Sequence, residues 1–147
     1  MTFRSGLAVA FALALGACQK APAPAEGSAA AKADAQEWSK ELSVTDVARL
    51  VQAKGATVLD ANDADTRKEQ GIVPGAVLLS SSRDYALSEL PAAKDTKLVF
   101  YCGGTACRAS DKAAKRAADA GYADVSVMRA GIRGWKSAGQ ATSTPQS

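Results

Sequence analysis

The ten residues Tyr101-Cys102-Gly103-Gly104-Thr105-Ala106-Cys107-Arg108-Ala109-Ser110 hold the residue types best suited to chemistry. Lys97 to Tyr101 is an apolar run that reads as a short buried strand, and residues 109–120 read as a helix. Cys102 therefore falls in a glycine-containing turn between a strand and a helix N-terminus. Such a turn can aim several backbone N–H groups at one point, and the helix dipole adds positive potential there. Both effects favour a thiolate, which makes Cys102 a candidate nucleophile near neutral pH. Arg108, six positions on, offers a fixed positive charge to the same cradle. The candidate anion-binding loop is thus Gly103, Gly104, Thr105, Ala106, Cys107 and Arg108.

A cysteine beside Phe100 and Tyr101 also suits a packed core, because cysteine is among the most buried residue types. The turn glycines, the arginine and the helix start favour the functional loop. Cys107 has two open readings. It is either a resolving thiol that forms a disulfide with an oxidised or sulfur-loaded Cys102, or a small packing residue at the helix start. Asp60 and Asp63 lie near a strand end, where turn-forming carboxylates are commoner than acid/base groups. The chain has no histidine, which excludes a Ser-His-Asp triad, a Cys-His dyad and a histidine metal site. Two cysteines at this spacing supply half of a tetrahedral zinc shell, so no metal or other cofactor is expected.

The elements that must position this loop alternate along the chain. Thr45 is a candidate cap for a helix carrying Val47, Leu50 and Val51, stopped near Gly55. Strands are expected at 56–60, 75–79, 97–101 and 124–128. A short helix is expected over 64–70, a helical turn over 85–90 and a last helix over 132–138. Strands that are apolar throughout and alternate with helices indicate an α/β fold with a mainly parallel sheet. Ala113, Ala114, Ala117 and Ala118 give the 109–120 helix a small-residue face for close packing on that sheet.

Of the 147 residues, the first 17 read as a targeting segment. Arg4 is followed by an apolar stretch, Leu7 to Leu15, too short to span a bilayer. Leu15-Gly16-Ala17-Cys18 resembles a bacterial lipoprotein signal, which implies cleavage before Cys18 and lipidation of that residue. Residues 18–37 then form the lipidated cysteine and a flexible Ala/Pro-rich tether, with an end-to-end distance on the order of 25 Å. Residues 38–140 are the folded domain and 141–147 a disordered tail. Removing residues 1–17 takes away Arg4 and no acid, leaving 17 basic against 15 acidic residues. That balance is too small and dispersed for nucleic acid.

Four segments in order carry a further resemblance: Asp60-Ala61-Asn62, G-I-V-P-G-A at 71–76, Y-C-x5-R at 101–108 and A-G-I-R-G-W at 130–135. Together they resemble the rhodanese-like domain family over about 100 residues of the chain. The resemblance implies a three-layer α/β domain with a central, mainly parallel sheet flanked by helices. It implies that Cys102 attacks a small anionic sulfur donor, carries a persulfide and passes the outer sulfur to a thiol acceptor. Backbone amides of Gly103 to Arg108 would stabilise the anion, with Arg133 and Trp135 near the site rim, although the residue types favour core for Trp135 and also suit solvated surface for Arg133. The family's Asp-x-Arg arginine is replaced by Asn62, and its Gly-His-Ile histidine by Ile72. The C-x5-R spacing of Cys102 and Arg108 is closer to related phosphatases and arsenate reductases, although Tyr101 stands where those phosphatases have histidine. Three readings follow: a sulfurtransferase, a C-x5-R oxyanion enzyme, or a non-catalytic binding or redox-sensing module.

The expected location is the bacterial cell envelope, with the lipid on Cys18 in the outer membrane and the domain facing the periplasm. Gln19 fits outer-membrane sorting. Each buried methylene of the acyl chains adds about 0.8 kcal/mol of attachment. Cys18→Ala should therefore release the protein from membranes or block its maturation. Fractionation that finds the unaltered protein soluble and unlipidated would contradict this.

Overall fold

A computed structural model describes residues 39–145. The targeting segment, Cys18 and the tether lie outside the described residues. The elements are β1 (Lys40–Glu41), α1 (Val44–Ala53), β2 (Thr57–Asp60), α2 (Ala64–Gln70) and β3 (Val77–Leu78), then β4 (Leu98–Tyr101), α3 (Ala109–Asp119), β5 (Val125–Met128) and α4 (Gly131–Ser137). A single 3-10 turn, Leu87–Glu89, precedes β4. All strands are parallel, in the order β1-β5-β4-β2-β3. The expected α/β fold with a central parallel sheet is thus the observed one.

Side chains alternate across this sheet, as the two-residue period of a strand requires. Leu59, Phe100 and Val127 share one row of the register and face the helix α3, where Ala113, Ala114 and Ala117 are fully buried. Val58, Val99, Tyr101 and Met128 face the opposite layer, formed by Val47 of α1 and by Ile132 and Trp135 of α4. The alanine face lets α3 lie close to the sheet, and Tyr85 pins it there by donating to the Ala113 carbonyl at 2.8 Å. Burial pushes the Tyr85 phenol up to about 12, so this donor stays protonated.

Several boundaries differ from expectation for local reasons. The α1 cap is Ser43 rather than Thr45, because the Ser43 hydroxyl accepts from the Asp46 N–H. The left-handed residue ending α1 is Lys54 (φ 51°), one before Gly55. The N–H groups of Lys54 and Gly55 recapture the Val51 and Leu50 carbonyls. The pair Lys40–Glu41, both exposed, carries no apolar signal and was not expected as a strand; it joins β5 at the sheet edge.

Residues 141–147, expected as a disordered tail, fold back as far as they are described. The Trp135 indole N–H donates to the Ala141 carbonyl at 2.8 Å. Ser143 forms an antiparallel bridge with Ile72, both bonds at 2.9 Å. The segment is polar, so side-chain hydrophobicity gave no sign of it; its order comes from backbone groups and one buried indole. Truncation after Gln140 would leave that donor unpaired and expose the Ile72 edge. We expect a stability loss of about 2 kcal/mol, read as a lowered urea midpoint; an unchanged midpoint would show that the tail contributes nothing.

Candidate functional site

Asp60 and Tyr101 set the frame in which the site sits. Tyr101 is fully buried, and its hydroxyl donates to the Asp60 carboxylate while accepting from the Val73 N–H at 3.0 Å. Burial, and then the Asp60 charge, push the phenol far above its ordinary value. Asp60 also accepts from the Asn62 N–H at 2.7 Å and from Arg67 at 3.2 Å. Arg67 reaches on to the carbonyls of Asp60 and Leu79. The guanidinium missing from position 62 is thus supplied by Arg67 from α2. Asp60 is wholly inaccessible and ties β2, β3, β4 and α2 together; it is a structural carboxylate. Asp63 caps α2 through the Thr66 N–H, a bond that holds its carboxyl below the usual range.

The strand period turns Cys102 to the side opposite Tyr101, into the α3 layer, where it is 2% exposed. Its Sγ lies 3.3 Å from Ser110 Oγ in the first turn of α3. Cys102 is disulfide-bonded to Cys107, with Cα atoms 6.3 Å apart. The loop between them contains a tight turn in which the Cys107 N–H donates to the Gly104 carbonyl at 2.9 Å.

The first turn of α4 fixes the direction of this loop. The Ile132 N–H donates to the Cys102 carbonyl at 2.8 Å, and the Arg133 N–H to the Gly103 carbonyl at 3.2 Å. The carbonyls are therefore drawn toward α4. Among the described residues, no hydrogen bond within the chain engages the N–H groups of Gly103, Gly104, Thr105 or Ala106. The backbone contact requires Gly131: its φ is +61°, and a Cβ there would lie 2.4 Å from the Cys102 carbonyl oxygen.

A cavity of about 670 Å³ opens over the loop. Gly103 to Cys107 line it together with Asn62, Asp63 and Thr66, with Ser80 to Ser82, and with Arg133 and Ser137 of α4. Cys107 faces this cavity, whereas Cys102 is buried behind it. The Asn62 side-chain Nδ2 is buried at the wall without a partner among the described residues, a donor that a bound acceptor would satisfy.

Arg108 departs from expectation. Its side chain is 66% exposed, pairs with Asp111 at 3.1 Å, and does not line the cavity. The cause is local: Arg108 is the N-cap of α3, and Asp111 sits one turn on. Asp111 also binds Arg129 with both oxygens at 3.0 Å, which raises the Arg129 pKa. The cation on the cavity wall is Arg133 instead. Trp135 lies in the core, as its residue type favoured, at 2% exposure. Ser110 and Asn62 stand in segments singled out from the sequence but had no site role there, and the three serines were not identified. Only the fold brings them to Cys102 and the cavity. Among the described residues, no group of three or more metal-ligating side chains occurs.

The rhodanese-like domain model matches residues 43–138. No match was found among curated proteins. Among solved structures, a thiosulfate sulfurtransferase from Pseudomonas aeruginosa is 24% identical, with a TM-score of 0.61, over 74% of this chain and 21% of that one. The human single-domain sulfurtransferase TSTD1 is 18% identical, with a TM-score of 0.54, over 67% of this chain and 96% of that one. A Rhodopseudomonas palustris protein of unknown function, described as a possible tyrosine phosphatase, is 25% identical, with a TM-score of 0.59, over 71% of this chain and 84% of that one. These likenesses share one architecture, and the family match spans strands β2 to β5, the cysteine loop and the helix that clamps it. The chain belongs to the rhodanese-like domain family.

Proposed function

We propose that the protein is a sulfurtransferase in which reduced Cys102 carries sulfane sulfur as a persulfide. The reading rests chiefly on one observation: Cys102 heads a loop whose carbonyls are clamped by α4, leaving a run of unpaired N–H groups. With the disulfide reduced, those amides and the first turn of α3 favour a thiolate and then a persulfide anion. The thiolate attacks the outer sulfur of a thiosulfate-type donor, and sulfite departs with the bonding electrons. An acceptor thiolate then takes the outer sulfur, and Cys102 leaves again as a thiolate. Arg133 steers the anionic donor across the cavity.

The C-x5-R oxyanion reading needs the Arg108 guanidinium over the loop. Arg108 paired to Asp111 outside the cavity favours sulfur transfer over it. We place the protein, as a further part of the proposal, on the bacterial envelope through lipidated Cys18, facing the periplasm. Outside the cytoplasm the Cys102–Cys107 disulfide can persist until a thiol opens it.

Two measurements test this reading on pre-reduced protein. Cys102→Ser should abolish thiosulfate-dependent sulfite release with the fold intact by circular dichroism, because a serine hydroxyl is not ionised and cannot hold sulfur. Near wild-type turnover would remove Cys102 from the mechanism. Arg133→Ala should lower kcat/KM for thiosulfate roughly tenfold, equivalent to about 1.4 kcal/mol, and flatten its salt dependence. Arg108→Ala should stay within about twofold of wild type. The reverse ranking would return Arg108 to the site and revive the oxyanion reading.

A further inference from the structure

The two sulfurs of the loop disulfide are not equivalent. Cys102 is 2% exposed and rests against Ser110, whereas Cys107 lines the cavity. The bond between them shows that the loop allows Cys107 Sγ to reach the Cys102 sulfur itself, the atom that would form the inner half of a persulfide. In this disulfide form Cys107 and not Cys102 lines the cavity, so an incoming thiol meets Cys107 first. A packing role alone would require neither the bond nor the access.

We infer that Cys107 is a catalytic resolving thiol that discharges the Cys102 persulfide as hydrogen sulfide. The inference rests on the sulfurtransferase reading above. Cys107 thiolate attacks the Cys102 sulfur in line with the persulfide bond. A bond forms between the two cysteine sulfurs, the Cys102–outer sulfur bond breaks, and hydrosulfide leaves with its electron pair. The proton lost by the Cys107 thiol and that of the persulfide leave with the product as hydrogen sulfide. The pair of cysteines is thereby oxidised to the disulfide, and the sulfane sulfur is reduced to sulfide.

Resetting the site requires a thiol reductant. Its thiolate attacks Cys107, the accessible sulfur, and expels Cys102 as a thiolate into the amide-lined loop, the better-stabilised of the two leaving groups. A second thiol then releases Cys107 from the mixed disulfide. With thiosulfate as donor, one thiosulfate and two thiols give one sulfite, one hydrogen sulfide and one thiol disulfide. Mass and charge balance, and the disulfide form is the state between sulfide release and reduction.

The test uses full-length protein, reduced and then freed of reductant, mixed with thiosulfate under anaerobic conditions without any other thiol. Sulfite, sulfide and intact mass are followed in wild type and Cys107→Ser. Wild type should release sulfite and then about one equivalent of sulfide, ending two hydrogens lighter than the reduced chain. Cys107→Ser should release sulfite, gain one sulfur atom and hold it at least tenfold longer, with no sulfide. Adding a monothiol to oxidised wild type should place the mixed disulfide on Cys107, read by peptide mass. Sulfite release with equal adduct lifetimes in the two proteins would overturn the role of Cys107 and leave sulfur transfer standing. No sulfite from either protein would overturn both.

Discussion

Two backbone hydrogen bonds organise the site, from the Ile132 and Arg133 N–H groups to the Cys102 and Gly103 carbonyls. A peptide unit whose carbonyl is fixed has its N–H fixed on the opposite side. Holding two consecutive carbonyls toward α4 therefore determines which way the following amides present themselves. The same bonds satisfy donors at the α4 N-terminus that would otherwise lack partners. The helix start and the cysteine loop thus each complete the other's hydrogen bonding. Gly131 is the condition for this exchange, since any side chain there would occupy the space of the Cys102 carbonyl.

The opposite face of the strand end has a different job. Tyr101 and Cys102 are adjacent in sequence, yet they point to opposite layers, as the pleat requires. Tyr101 joins a buried network with Asp60 and, through that carboxylate, Arg67. This network anchors the ends of β2 and β4 at the place where the loop departs. Breaking a buried charged network by removing one partner costs far more than losing an exposed ion pair. The site is therefore mounted on a polar, largely enclosed support, while its own cation, Arg133, stays on the cavity wall.

Much of this was legible in the sequence because it follows local rules. Apolar runs separated by helical segments indicated the parallel sheet, and alanines at helical spacing indicated the close-packed α3. The glycine turn after Lys97–Tyr101 located the cysteine loop. What was not legible depended on distance. Arg108 looked like the loop's cation because it is near Cys102 in sequence, but Asp111 captures it one helical turn on. Arg67 takes up the place of the missing arginine from another element, and Ser110 meets Cys102 only because α3 packs across the strand end. The order of Ala141 to Ser143 rests on backbone pairing with Ile72 and on one indole, neither of which has a compositional signature.

The sheet ends on both sides in strands of only two residues, Lys40–Glu41 and Val77–Leu78. A long open edge offers a row of unpaired N–H and C=O groups on which another chain can add a strand. Here one border is too short and too charged to template such growth. The other is partly occupied by Arg67, which takes the carbonyl of Leu79 just beyond β3. A parallel sheet this apolar inside would otherwise be prone to self-association wherever many copies are crowded together. Two-residue borders leave little open edge on either side of the sheet for a further strand to pair with.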